Sequence, residues 1–119
     1  MVNDKMLNYK DLHVWQKSME LAKDVYGICD KLPRSEQFAL SDQLRRSAVS
    51  IPSNIAEGQK RLNVAETIQF TGIALGSAAE LETQLILVES LFAISTDDTV
   101  AKTVEVSKML SGLIRALRA

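Results

Sequence analysis

The sequence predicts an all-α protein, an antiparallel up-down-up-down four-helix bundle formed by one domain over residues 1–119. Three observations carry this. Four stretches repeat apolar residues at spacings of three and four, the period of a helix with one buried face. Only 5 glycines and 2 prolines interrupt the chain, too few for a loop-rich or all-β protein. The hydrophobic fraction is 46% with only 5% aromatic residues, so Leu, Ala, Ile and Val make up most of it, and the first two are strong helix formers. A chain of 119 residues is the size of one ordinary domain.

The first helix is expected over 11–31. Leu12, Trp15, Met19, Ala22, Tyr26 and Cys29 form an a/d-type seam, and Val14, Leu21, Val25, Ile28 and Leu32 run beside it. Two adjacent stripes predict a wide face touching more than one neighbour. Asp11 is placed to cap its start, and Pro33 stops its end.

The second helix is expected over 36–59, with Ser35 as N-cap and Leu40, Leu44, Ala48, Ile51 and Ile55 facing the core. Arg46, Ser50, Ser53 and Glu57 make a polar stripe opposite. Pro52 removes the bond to the Ala48 carbonyl, at roughly 3 kcal/mol in an isolated helix. The apolar period keeps its phase across Pro52, which predicts one helix kinked there, fraying near Gly58.

The third helix is expected over 64–92, capped by Asn63 with Glu66 at the third position. Its middle is small: Gly72, Ala74, Gly76, Ser77, Ala78 and Ala79. Each glycine costs a helix about 1 kcal/mol relative to alanine, so these positions predict close packing by another backbone. The fourth helix is expected over 97–117. Val100, Val104, Met109 (or Ser107), Leu110, Leu113, Ile114 and Leu117 lie on its apolar side, and Arg115 and Arg118 suit the negative end of its dipole. Short connections between the four helices predict antiparallel neighbours.

Composition narrows the function classes. Met1–Leu12 has no apolar h-region, so no signal peptide is expected there. No run of 18 uncharged apolar residues is present, so no spanning helix is expected. The single cysteine, Cys29, forms no intrachain disulfide and fits a reducing cytoplasm. Net charge is −1: residues 1–62 carry 10 Lys/Arg against 8 Asp/Glu, and residues 63–119 carry 4 against 7. That mild asymmetry is less basic than most nucleic-acid binders.

Catalytic chemistry finds little support. His13 is the only histidine, so neither a His-based metal site nor paired Glu-x-x-His motifs can form. Cys29 falls on the apolar seam, where a cysteine behaves as a small hydrophobe. Gly72-x-x-x-Gly76 lacks the lysine and the strand of a phosphate loop. Glu80 and Glu82 are two residues apart on a helix and do not face each other. They are expected as solvated charges, or with one turned inward to pair with Arg45 or Arg46. No enzyme, metal or cofactor is expected.

Two basic pairs, Arg45-Arg46 and Lys60-Arg61, bracket the second helix, separated by about 22 Å along its axis. Such groups can contact phosphates. Alternatively, Arg46 bonds Glu57 or a neighbouring subunit, while Lys60 and Arg61 occupy a solvated turn.

The stretch Gln43-Leu-Arg-Arg-Ser-Ala-Val-Ser-Ile-Pro-Ser-Asn-Ile-Ala-Glu-Gly58 resembles the signature of a bacterial family, the four-helix bundle or 23S rRNA-intervening-sequence proteins. Asp11-Leu-His-Val-Trp15-Gln-Lys, Leu32-Pro33 and Ala74-Leu-Gly76-Ser-Ala-Ala-Glu80-Leu-Glu82 are also similar to it, in family order. The resemblance implies a left-handed antiparallel bundle, a second helix continuing through its proline, a ring-shaped homopentamer and no catalytic activity. It is also similar to the accessory variability determinant of diversity-generating retroelements, which binds nucleic acid and a reverse transcriptase. Those proteins are strongly basic, whereas this sequence has a pI near 5.8. Arg45, Arg46, Ser50, Asn54, Glu57 and Gly58 fall on the central motif, and Glu80 and Glu82 on the second.

Two readings follow. The first, placed slightly ahead on the resemblance, is an oligomeric nucleic-acid-associated adaptor, for RNA or DNA, using Arg45, Arg46, Lys60 and Arg61. The second is a protein-interaction scaffold in which Ser50, Asn54, Glu57, Glu80 and Glu82 stabilise a ring-shaped homo-oligomer.

Overall fold

Four helices account for most of residues 8–119, which the computed structural model describes: α1 (His13–Cys29), α2 (Leu40–Gln59), α3 (Val64–Phe92) and α4 (Asp97–Arg118). No strand occurs among the described residues. Helix α1 packs on α2 and α4, α2 on α3, and α3 on α4, in a body 52 × 21 × 20 Å. No helix among them is long and apolar enough to cross a membrane. The first seven residues of the predicted leader-free start, Met1–Leu12, lie outside the described residues.

The core is where the four buried stripes meet. Leu21 and Val25 from α1, Leu44, Ala48 and Ile51 from α2, Ala74, Ala78, Leu81, Leu85 and Val88 from α3, and Val106 and Leu110 from α4 are all fully buried. Of the two stripes predicted on α1, the inner one is Val14, Leu21, Val25, Ile28 and Leu32, all buried, with Ser18, which was not predicted, buried among them. The predicted a/d seam lies at its edge: Cys29 is buried, but Met19 and Tyr26 are exposed. Both stripes have helical period, and only the position of α2 and α4 selects between them. On α4 the buried positions are Thr99, Thr103, Val106 and Leu110, so two threonines take core places that hydrophobicity alone passes over. The Thr103 hydroxyl satisfies itself by donating to the Thr99 carbonyl at 2.7 Å.

Three predicted helix boundaries are corrected. Asp11 does not cap α1: it ends a 3-10 turn, Tyr9–Asp11, capped by Asn8, and α1 follows Leu12 without a side-chain cap. Ser35 does not open α2, because residues Arg34–Glu36 form a 3-10 turn and α2 starts at Leu40. The physical cause is Gln37, whose Nε2 donates to the carbonyls of Cys29 and Leu32 at 3.3 and 3.5 Å. That side chain turns the connection back to cover the end of α1 instead of opening the next helix. Gly58 does not fray. It is buried against α3, where an added Cβ would stand 3.0 Å from the Phe70 Cβ, and its carbonyl accepts from Thr67 Oγ1 at 2.9 Å.

Helix α2 runs unbroken through Pro52, which is itself buried. Helix α3 starts as predicted: Asn63 Oδ1 accepts from the Glu66 backbone N–H at 2.9 Å, and Asn63 Nδ2 donates to Glu66 Oε2 at 3.2 Å. It ends at Ala93, a non-glycine residue in the left-handed region with φ 55°, whose N–H donates to the Glu89 carbonyl. The expectation for its small middle is overturned in part. Ala74 and Ala78 carry the close packing, but a Cβ on Gly72 or Gly76 would meet nothing within 4 Å. Those glycines point away from the rest of the bundle.

Candidate functional site

The predicted basic residues do not form one patch. Arg45 and Arg46 lie in the second turn of α2, Lys60 and Arg61 just past its end, and most are already engaged. Arg46, three-quarters exposed, pairs with Asp42 one turn earlier at 3.0 Å, and not with Glu57. Arg61 pairs with Glu57 at 2.6 Å, approaches Glu66 at 3.8 Å, and lies 4.5 Å from the centre of the Phe70 ring. Arg45 has a different setting. Its guanidinium donates to Gln37 Oε1 at 3.2 Å and sits 5.4 Å from the Tyr26 ring centre. Lys60 is exposed and takes part in no ion pair among the described residues.

The polar motif is spent mostly inside the chain. Ser50 Oγ and Ser77 Oγ are 2.8 Å apart across the α2–α3 contact. Asn54 Nδ2 donates to Ser50 Oγ at 2.9 Å and to the Ser50 carbonyl at 2.8 Å. With Asn54 supplying a proton to the Ser50 oxygen, the Ser50 hydroxyl is free to donate to Ser77. One turn earlier Ser47 Oγ donates to Gln84 Oε1 at 3.0 Å. This seam fixes how α2 and α3 lie against each other. Glu80 and Glu82 are elsewhere: neither pairs with Arg45 or Arg46, and Glu82 instead lines a shallow cleft against α4 with Lys108 and Arg115.

Sequence reasoning passed over Gln37, Ser47, Ser77 and Gln84. A signal existed for Ser47, which stands three residues after Leu44 and four before Ile51, a core position filled by a polar residue. No such spacing marked Gln37.

Burial pushes the Cys29 thiol up, with Arg45 only partly offsetting it, and its Sγ donates to the Ser41 carbonyl. Burial of this kind favours the protonated thiol over the thiolate. The backbone N–H of Thr96 is the largest of the hydrogen bonds that lower the Glu89 carboxyl. No group of residues that could hold a metal occurs among the described residues. His13, on the first turn of α1, is exposed.

Large apolar side chains do remain uncovered. On α3 they are Val64, at its first residue, and Ile73, Ile86, Leu87 and Leu91, the last two at 44% and 60% exposure. A second uncovered strip is the groove between α1 and α2, lined by Tyr9, Trp15, Met19, Ala22, Val49 and Pro52 among others. The seam predicted for the core of α1 thus forms one wall of a surface groove.

Fold and surfaces together define a small all-α four-helix protein with apolar faces left open. The profile of the family described as 23S rRNA-intervening sequence protein matches residues 10–112, and the chain belongs to that family. A crystal structure of a protein of unknown function from the S23 ribosomal protein family, from Bacteroides thetaiotaomicron, superposes with a TM-score of 0.79. It shares 30% identity and covers 85% of this chain and 97% of its own. No curated protein matches the sequence.

Proposed function

We propose that the protein is a non-catalytic scaffold that works as a homo-oligomer, assembled through the apolar faces a single copy leaves uncovered. The observation that carries this reading is α3. Its inner face is fully buried, yet its outer face still presents Ile73, Ile86, Leu87 and Leu91. A helix apolar all round belongs in the interior of something, and one copy covers only half of it. Gly72 and Gly76 flank Ile73 with open space around them, which lets another backbone approach.

The α3 face and the α1–α2 groove are different surfaces. Docking one into the other on the next copy is a head-to-tail contact, which closes into a ring when the rotation allows. The resemblance supports five copies. Within each copy the helices are taken as up-down-up-down. The connections 60–63 and 93–96 reach at most about 14 Å each, against about 30 Å or more for the helices they join. A left-handed twist and a bend of α2 at Pro52 complete this reading. The single free, buried cysteine supports a cytosolic setting.

The test is sedimentation velocity with the wild type and with Ile86→Ser/Leu87→Ser, helicity being checked by circular dichroism. A multimer that dissociates in the variant with helicity intact is expected. A wild type that stays monomeric at tens of micromolar would sink the scaffold.

A second reading, the nucleic-acid adaptor, keeps specific support from Arg45 and Lys60, the two candidate cations that no carboxylate among the described residues neutralises. It requires binding to structured RNA or duplex DNA that falls steeply between about 50 and 200 mM salt.

A further inference from the structure

At the junction of α1 and α2, Phe38 is 98% exposed, so nothing among the described residues covers its ring. It follows Gln37, whose side chain is pinned by the Cys29 and Leu32 carbonyls and by Arg45. Arg45 in turn lies over the half-exposed ring of Tyr26. Phe38 and Arg34 line a shallow depression of about 570 Å³, with Asp30 also on its wall. At this corner Gln37, held by three hydrogen bonds, links the Phe38–Arg34 depression to the Arg45–Tyr26 stack.

We infer that this corner is a stacking site for an unpaired nucleobase, with Arg34 and Arg45 contacting the phosphates on either side of it. Single strands are gripped by this combination, aromatic faces for the bases and cations for the backbone. Size argues for a nucleotide over a protein partner. A stable protein interface needs roughly 800 Å² on each side, and surfaces of that reach lie on α3 and along the α1–α2 groove, not at this tip. The inference deepens the nucleic-acid reading and does not depend on assembly.

The test uses the full chain and fluorescently labelled probes at about 50 mM salt: an oligothymidylate of about twelve nucleotides, an abasic strand of equal length, and a duplex. Phe38 is free of the core, so Phe38→Ala should fold normally. The expected result is that oligothymidylate binds tighter than the abasic strand. Phe38→Ala should weaken it by about 5- to 100-fold. Phe38→Trp should restore binding, with its emission quenched as the base stacks. Equal affinity for the abasic strand, or no change in Phe38→Ala, overturns the stacking site while leaving phosphate binding elsewhere intact. Binding to none of the three probes overturns the site and removes duplex DNA from the nucleic-acid reading. A changed sedimentation coefficient for Phe38→Ala, without nucleic-acid binding, reassigns the corner to a contact between copies.

Discussion

The two faces of α3 are made of the same kinds of residue and have opposite fates. On the inner face Ala74, Ala78, Leu81, Leu85 and Val88 are completely buried, while on the outer face Ile73, Ile86, Leu87 and Leu91 meet solvent. Helices α1, α2 and α4 separate apolar from polar residues much more sharply around their circumference. Polar groups mark the inner face, through Ser77 and Gln84 bonded to Ser50 and Ser47, and the outer face has no such link to the bundle. Hydrophobicity alone therefore does not distinguish a buried face from an exposed one. What distinguishes them is the presence of a neighbour within the chain.

The largest effect should separate the two faces directly. Leu81→Ala or Leu85→Ala removes fully buried volume and should cost about 2–5 kcal/mol in urea unfolding. Leu87→Ala, with the monomer compared at low concentration, should stay within about 0.5 kcal/mol of the wild type and act on assembly instead. A large intrinsic cost for Leu87→Ala would break the comparison.

Glycine sharpens it next. Gly58→Ala forces a Cβ to within 3.0 Å of the Phe70 Cβ and 3.3 Å of the Thr67 carbonyl, neither a flexible tip, and should destabilise by about 1–2 kcal/mol. Gly76→Ala meets nothing and should stabilise one copy by up to about 1 kcal/mol in thermal unfolding, while weakening association.

A smaller effect is expected at the start of α3. Asn63→Ala, which strips its cap, should cost about 1 kcal/mol by denaturant titration, whichever face is under test.

The smallest effect concerns the charges that tie α1 to α4. The hydrogen bond to Asp24 holds the Lys102 ammonium above the ordinary lysine range, with Glu20 adding to it. A raised folded value means this contribution is complete below that range and is lost as the pH climbs through the folded value. Lys102→Met should cost about 0.2–1 kcal/mol near neutrality, and its gap from the wild type should narrow in strongly alkaline solution.

Much of this was legible beforehand. The four helices, the boundaries of α3, the Asn63 cap and the helix running on through Pro52 follow from period and capping chemistry, which are local. The errors share one cause. Ser35 and Asp11 are good caps by type, but Gln37 and Asn8 organise those junctions, and their partners are distant carbonyls or a preceding turn. The basic residues were expected to bracket α2, but with α2 starting at Leu40 the Arg45-Arg46 pair lies inside it. Their pairing with Asp42, Glu57, Tyr26 and Gln37 depends on rotamers and on neighbours that spacing does not specify.

By itself the sequence determined helix number and helical period, because hydrogen bonds between residues four apart and side-chain periodicity are properties of short stretches. Tertiary structure alone decided which of the two α1 stripes is core, that Gly58 is packed and Gly76 open, and that Ser50 and Asn54 serve the α2–α3 seam. Each of those depends on what stands opposite, and a helix carries no local record of its neighbour.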